Sequence, residues 1–181
     1  MKALIMAGGK GGRLGYVEKP LIIIKNKFLI DLILDEVKKS EVEDFYIAVS
    51  PYTPETKRYL EKGYKDKIIE TPGNGFIEDI NYCFKFFDDP FLVIPSDIYG
   101  LTYKIINKII SSFSNEYEAL TVLNYNKPIG LNIVSPKDGY QKEKILNIYE
   151  DIVNLNTPED LKKVGGKIWK RCPGEFWREK R

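Results

Sequence analysis

The sequence predicts an α/β fold: a single doubly wound, mostly parallel sheet with helices on both faces. Three observations predict it. Over roughly the first 115 of 181 residues, short apolar runs alternate with stretches of helical spacing, the pattern that builds a parallel sheet. A glycine-rich segment, residues 8–15, follows the first apolar run directly. Polar residues close the later runs, notably Ser50, Thr71 and Asp97, and ligands of such sheets bind at strand carboxyl ends. The length suits one domain with a real core. The expected division is a domain over 1–164 and a tail or docked extension over 165–181.

Residues 2–7 read as a buried strand, and residues 20–24 as a short apolar run closed by Lys25-Asn26-Lys27. Leu29, Ile30, Ile33, Leu34 and Val37 recur at helical spacing over 29–40. Residues 45–49 form the next strand, and Thr53-Pro54-Glu55 opens a helix to about 61, with Thr as cap and Pro at the first helical position. A strand at 67–71 precedes Pro72-Gly73-Asn74-Gly75, a helix at 76–87 and an apolar strand at 91–95. Then come a helix at 101–113 and three further strands at 119–123, 131–134 and 144–149. Thr157-Pro158-Glu159-Asp160 starts a last helix, with a Thr cap and acids in the first turn. The aromatic set Phe76, Phe84, Phe86, Phe87 and Phe91 reads as core.

Composition excludes several chemistries. There is no histidine, so no Ser-His-Asp triad, Cys-His dyad or His-containing metal site exists. Cys83 and Cys172 are far apart and form no CxxC pair. What remains favours reactions driven by positioning and electrostatics, such as phosphoryl or nucleotidyl transfer. A net charge of +2 gives no polybasic signature, so no nucleic-acid partner is expected. No apolar run approaches a membrane span, and the first residues look like a strand rather than a signal peptide. With few cysteines, the expected setting is a reducing cytoplasm. Lysine outnumbers arginine 23 to 5, a bias that a thermophilic source or a skewed genomic base composition would each produce.

The glycine segment carries the chemical signal. Successive glycines let backbone N–H groups converge on phosphate oxygens. A P-loop requires Gly-Lys-Ser/Thr, which is absent. The Gly-x-Gly-x-x-Gly fingerprint fails because Leu14 holds its last position, which removes a dinucleotide-dependent oxidoreductase. A third pattern fits: Ala7-Gly8-Gly9-Lys10-Gly11-Gly12-Arg13-Leu14-Gly15, then Glu18-Lys19-Pro20. A loop that merely connected strand to helix would leave Lys10, Arg13 and Lys19 clustered to no purpose.

This run resembles the signature of nucleotidyltransferases that join an NTP to a phosphorylated acceptor, the molybdenum-cofactor-guanylyltransferase-like NTP transferase family. Pro95-Ser96-Asp97 is similar to that family's strand-end aspartate. Asn154-Leu155-Asn156-Thr157-Pro158-Glu159-Asp160-Leu161 is similar to an ending seen in many members. Within the family, the chain looks like the archaeal-type GTP:adenosylcobinamide-phosphate guanylyltransferase branch. That likeness rests on residues 3–22, Ser50-Pro51-Tyr52-Thr53-Pro54-Glu55-Thr56-Lys57, Gly75-Phe76-Ile77-Glu78-Asp79-Ile80-Asn81, and residues 130–143. The last segment, Gly-Leu-Asn-Ile-Val-Ser-Pro-Lys-Asp-Gly-Tyr-Gln-Lys-Glu, lies outside the general signature and discriminates most. Two departures stand out: Gly12 replaces a more usual Thr, and residues 124–127 are fewer than in the branch.

The resemblance implies a nucleotide-diphospho-sugar-transferase-like, Rossmann-like fold. It implies GTP and a corrinoid phosphate acceptor as partners, with release of pyrophosphate. Sibling acceptors (molybdopterin, a sugar phosphate) and a non-catalytic nucleotide-binding module are the competing functions. Arg13, Lys19 and Asp97 are the implied catalytic residues. The nucleotide would touch Ala7, Gly8, Gly9, Lys10, Gly11, Gly12, Arg13 and Lys19, and Ser50, Pro51, Thr71 and Gly75 would frame base and ribose, unless they simply cap the helices that follow. Gly130 and Asn132 would sit on the acceptor side, although Gly130 also reads as a plain strand-start glycine. Mg²⁺ or another divalent metal would be held by Asp97 and Asn156, a hard-oxygen pair suited to such an ion. A phosphate monoester is already largely dianionic near neutrality, so it needs no general base. Trp169 and Trp177 leave three roles open: docking on the domain, a homodimer contact, or a cover over the acceptor. Lys162, Lys163 and residues 167–171 read as a solvated face.

Overall fold

The computed structural model describes residues 1–169. Its elements run β1 (Ala3–Met6), β2 (Ile23–Ile24), β3 (Lys27–Phe28), α1 (Leu29–Lys39), β4 (Phe45–Val49), α2 (Pro54–Tyr64), β5 (Ile68–Glu70) and α3 (Phe76–Cys83). They continue with β6 (Phe91–Pro95), β7 (Ile98–Tyr99), α4 (Tyr103–Ser112), β8 (Ala119–Asn124), β9 (Lys127–Val134), β10 (Glu143–Ile148), β11 (Val153–Asn154) and α5 (Pro158–Lys163).

Seven strands form the main sheet in the order β5-β4-β1-β6-β9-β8-β10. β1 pairs parallel with both β4 and β6, β4 with β5, and β10 with β8. Only β9 runs against its neighbours, β6 and β8. The expected doubly wound, mostly parallel sheet is what forms. Alternation along β1 sorts the core: Ala3 and Ile5 face a large cluster with α1, α2 and α4, whereas Leu4 and Met6 face a smaller one under α3. Helices therefore cover both faces, as the period-two strand geometry requires. On α1, the spacing read from sequence becomes one buried stripe of Leu29, Ile30, Ile33, Leu34 and Val37. No helix among the described residues is long and apolar enough to cross a membrane.

Two hairpins turn on residues with positive φ: Lys25 and Asn26 between β2 and β3, and Tyr125 and Asn126 between β8 and β9. Both are two-residue turns of the type whose twist matches paired strands. The second explains the short 124–127 stretch. It also extends β9 well before the expected start at 131. Register shifts between Thr121 and Leu123 along the β8/β9 pair, and Gly130 (φ 82) sits opposite that irregularity.

The aromatic expectation holds in part. Phe87 stacks on Phe91 at 3.8 Å, and both are buried. Phe76 and Phe86 are each 39% exposed, because α3 ends at Cys83 and a 3₁₀ turn, Phe84–Phe86, carries the chain outward. Residues 165–169 pack back on the domain. Ile23 and Lys167 exchange backbone hydrogen bonds of 2.8 Å, and Trp169 meets Phe28 edge-on. That is the docking role for Trp169; Trp177 and the basic residues beyond 169 lie outside the described residues.

Candidate active site

The carboxyl ends of β1, β4, β5 and β6 share one rim. There a cavity of about 360 Å³ opens, lined by Gly8, Gly9, Lys10, Gly11, Lys19, Gly73, Asn74, Gly75, Phe76, Asp79, Ser96 and Asp97. That volume is in the range of small-molecule sites.

The glycine loop leaves β1 and folds into a 3₁₀ turn, Gly12–Leu14. Gly11 has φ +59, and a Cβ there would lie 2.0 Å from the Val17 carbonyl oxygen, so no side chain fits. Leu14 and Tyr16 both donate backbone N–H to the Gly11 carbonyl, closing the loop. Among the described residues, the backbone N–H groups of 8–13 have no hydrogen-bond acceptor. Residues 8–11 of that run line the cavity, and unspent donors there are what an anion needs.

Lys19 begins a 3₁₀ turn, Lys19–Leu21, whose Pro20 and Leu21 are buried. Its ammonium donates to Asp97 Oδ2 at 2.8 Å and to Asn156 Oδ1 at 2.7 Å. Side-chain exposures are only 15% for Lys19 and 24% for Asp97, so the contact is poorly screened. Asn156 arrives from far along the chain by a specific route. β11 pairs with β7, placing Asn154 opposite Ile98, and Leu155 N–H donates to the Asp97 carbonyl at 2.7 Å. The capping box of α5 then fixes the next residues: Asp160 Oδ2 accepts from the backbone of Asn156 and Thr157, and Thr157 Oγ1 accepts from Asp160 N–H. The expected Thr157 cap is thus real, and its Asp160 also holds the backbone of Asn156.

Asp97 Oδ2 and Asn156 Oδ1 converge on one positive group, the Lys19 ammonium. A carboxylate and an amide oxygen aimed at a single point suit a hard divalent cation that completes its shell with phosphate and water. The residues therefore fit the metal implied for them. No group of three or more His, Cys, Asp or Glu forms a candidate metal cluster among the described residues, so a metal here would depend on its substrate for further ligands.

The other expected residues divide. Lys10 lies over the Tyr52 ring at 4.6 Å. Arg13 is exposed on the outer side of the loop, off the cavity lining and without a protein partner among the described residues. Ala7 is buried and donates to the Ala48 carbonyl. Gly12 faces open space. Ser50 is buried and its hydroxyl donates to the Gly8 carbonyl at 2.6 Å, and Thr71 donates to the Val49 carbonyl. Ser50, Pro51 and Thr71 are off the lining; Ser50 and Thr71 spend their hydroxyls on the framework. Gly130 is off the lining, and a Cβ there would meet two lining residues, Pro95 Cγ at 3.2 Å and Phe76 Cζ at 3.9 Å. Asn132 lies deeper on β9, its amide bonded to the Gly130 carbonyl and Thr121.

Two residues escaped the sequence reading. Thr53 makes no side-chain cap on α2; its hydroxyl turns to the Ser50 backbone. Glu18 does the capping from a distance, accepting from Glu55 N, Thr56 N and Thr56 Oγ1. Asp79 is 5% exposed, lines the cavity and accepts from Gly73 N–H at 2.9 Å. Only Asp79's place in the quoted Gly75–Asn81 run pointed to it.

Residues 3–146 match the family described as MobA-like NTP transferase domain. A curated relative, adenosylcobinamide-phosphate guanylyltransferase of Methanocaldococcus jannaschii, is 46% identical over 90% of this chain and 94% of its own length. Among solved structures, HddC from Yersinia pseudotuberculosis complexed with GMP-PN superposes with a TM-score of 0.70 at 19% identity, covering 90% of this chain and 97% of that one. Rv0371c from Mycobacterium tuberculosis, in complex with manganese, gives 0.69 at 9% identity, covering 90% and 96%. At those identities the two structures show the fold.

Proposed function

Because the chain belongs to the MobA-like NTP transferase domain family, we propose that it is a guanylyltransferase moving GMP from GTP onto adenosylcobinamide phosphate, with release of pyrophosphate. The observation that carries this reading is the Lys19–Asp97–Asn156 contact beside a loop of unspent backbone N–H groups. The relative at 46% identity supports the acceptor.

By this reading, the 8–13 amides and Lys10 hold the β- and γ-phosphates, and Arg13 swings inward to join them. Lys19 turns its charge to the α-phosphate. Gly130 leaves room at the cavity edge for the incoming acceptor phosphate. That phosphate arrives ionised, so the barrier is charge repulsion and alignment, and fixed cations and amides lower it. The absence of histidine is consistent with this, since no proton has to be removed from the nucleophile. Mg²⁺ or a similar divalent ion, held by Asp97 and Asn156, would supply neutralisation of the triphosphate. The setting proposed is the cytosol.

The test is turnover. Purified protein is given GTP, ATP or CTP with adenosylcobinamide phosphate, molybdopterin or a sugar phosphate, and pyrophosphate is followed. GTP with the corrinoid acceptor should give the largest kcat/KM. Release with another acceptor alone would make this a sibling enzyme. GTP binding without release from any acceptor would make it a non-catalytic nucleotide module.

A further inference from the structure

The buried carboxylate of Asp79 has no counter-charge. Among the described residues no lysine or arginine pairs with it, and its one side-chain hydrogen bond is from Gly73 N–H to Oδ1. No fully buried side-chain oxygen lacks a partner among the described residues, so Oδ2, with no protein donor, opens to the cavity that Asp79 lines. A carboxylate in so enclosed a place is costly unless donors reach it. Each of its oxygens accepts more than one hydrogen bond, so Oδ1 keeps capacity beside its bond to Gly73.

Gly8, Gly73 and Gly75 line the same cavity as Asp79. A Cβ at Gly8 would lie 3.0 Å from Ser50 Cβ, and one at Gly73 (φ +74) 2.8 Å from the Tyr52 ring, so the backbone stays bare there. A planar group fits against such backbone. Along its pairing edge, guanine presents two adjacent donors, N1–H and the N2 amino group. Adenine and cytosine each present an acceptor ring nitrogen there, and uracil flanks its single N–H with two carbonyls. Only guanine matches two carboxylate oxygens.

We propose that Asp79 is the base-selecting residue of this site, its two carboxylate oxygens accepting from N1–H and N2–H of guanine. The inference rests on the GTP reading above and supplies a contact that explains it. Gly73 N–H is the positioning partner: it fixes the carboxylate rotamer from the turn that faces the base.

Asp79→Asn separates this from a purely structural role. The amide oxygen still accepts from Gly73 N–H, so the turn is kept, but the second oxygen becomes a donor that opposes the guanine amino group. Xanthine carries a carbonyl at that position and accepts from it. Nucleotide binding by calorimetry is measured with GTP, ITP, XTP and ATP, and kcat/KM with the same four. Wild type should prefer GTP, with ITP roughly tenfold weaker for want of the amino group. Asp79→Asn should lose roughly 100-fold on GTP and gain on XTP, so that XTP becomes preferred. A thermal melt close to wild type shows the fold is kept. If Asp79→Asn still prefers GTP, or weakens all four nucleotides equally, Asp79 does not select the base. If wild type itself shows no preference for GTP over ATP, the guanylyltransferase reading fails first and takes this inference with it. Should Asp79→Asn not fold, Asp79→Glu with ITP against GTP decides: a lengthened carboxylate must narrow the GTP-to-ITP ratio if the contact exists, and an unchanged ratio overturns it.

Discussion

Replacing Glu18 with alanine probes how the signature loop is held. Helix α2 begins with four backbone positions that lack an intrahelical acceptor. Pro54 has no N–H, and Thr53 N–H donates to the Ser50 carbonyl at 3.0 Å. The remaining two, Glu55 and Thr56, both donate to Glu18, at 3.1 and 2.7 Å, and the Thr56 hydroxyl adds a third bond at 2.7 Å. Glu18 thus caps the helix completely, with a negative charge at the positive end of its dipole. Loss of a cap costs about 1 kcal/mol, and bonds to a charged group about 1.5–3 kcal/mol. Partial exposure argues for the low end, about 2 kcal/mol in total. For a chain of this length that lowers the melting midpoint by about 4–8 °C. Glu18→Gln keeps an acceptor and should lose about half as much. Because Glu18 precedes Lys19 directly, a loosened loop should also cut kcat by roughly 10–100-fold. Differential scanning calorimetry and steady-state turnover read both effects. A Glu18→Ala melt within about 1 °C of wild type would refute the reasoning.

Lys19→Ala and Asp97→Ala should each lower kcat by roughly 10²–10³-fold while circular dichroism stays native; near-normal turnover in either would remove that residue from the chemistry. Gly11→Ala must place a methyl group 2.0 Å from the Val17 carbonyl at φ +59, so denaturant titration should show a loss of about 3 kcal/mol. The Thr157 hydroxyl beside Asp160 holds its carboxyl below the usual range, with the Asn156 and Thr157 N–H groups assisting. The capping box therefore contributes above the unfolded carboxylate pKa and fades as pH falls through the lower, folded value. Stability curves of wild type and Asp160→Asn should accordingly differ at neutral pH and converge in acid. Burial pushes the Cys83 thiol up to about 12. In a Cys172→Ser background, native protein should resist alkylation at pH 8 and react on unfolding.

Most of the fold was legible because period-two and period-3.6 spacing are local properties. β1, β4, β6, α1 and α4 fell within a residue or two of expectation. The hairpin turns were harder. Lys25-Asn26 and Tyr125-Asn126 adopt positive φ without a glycine, so the usual Asn-Gly signal was missing. Within the contiguous motif, residues 8–11 and Lys19 line the cavity, whereas Ala7, Gly12 and Arg13 do not. Asp97 and Asn156 were found through resemblance, and pairing of β7 with β11 explains why they meet. Glu18 was hidden because its partners lie 37 and 38 positions away, a distance that no local rule spans. Thr53 had the composition of a cap, yet the better acceptor came from elsewhere. Ser50 and Thr71 stood at the right strand ends, but at those ends the backbone consumed their hydroxyls.

Lys19 and its amide partner are separated by 137 positions, and that separation has a meaning in time. Ribosomes add about 5–20 residues each second. From the moment Lys19 is made, about 7–27 s pass before Asn156 exists. Lys19 is therefore among the first residues synthesised and among the last to gain all its partners. Throughout that interval Lys19 has, at most, Asp97 to restrain it. The short strand β11, whose pairing with β7 brings Asn156 to Lys19, is the closing stitch.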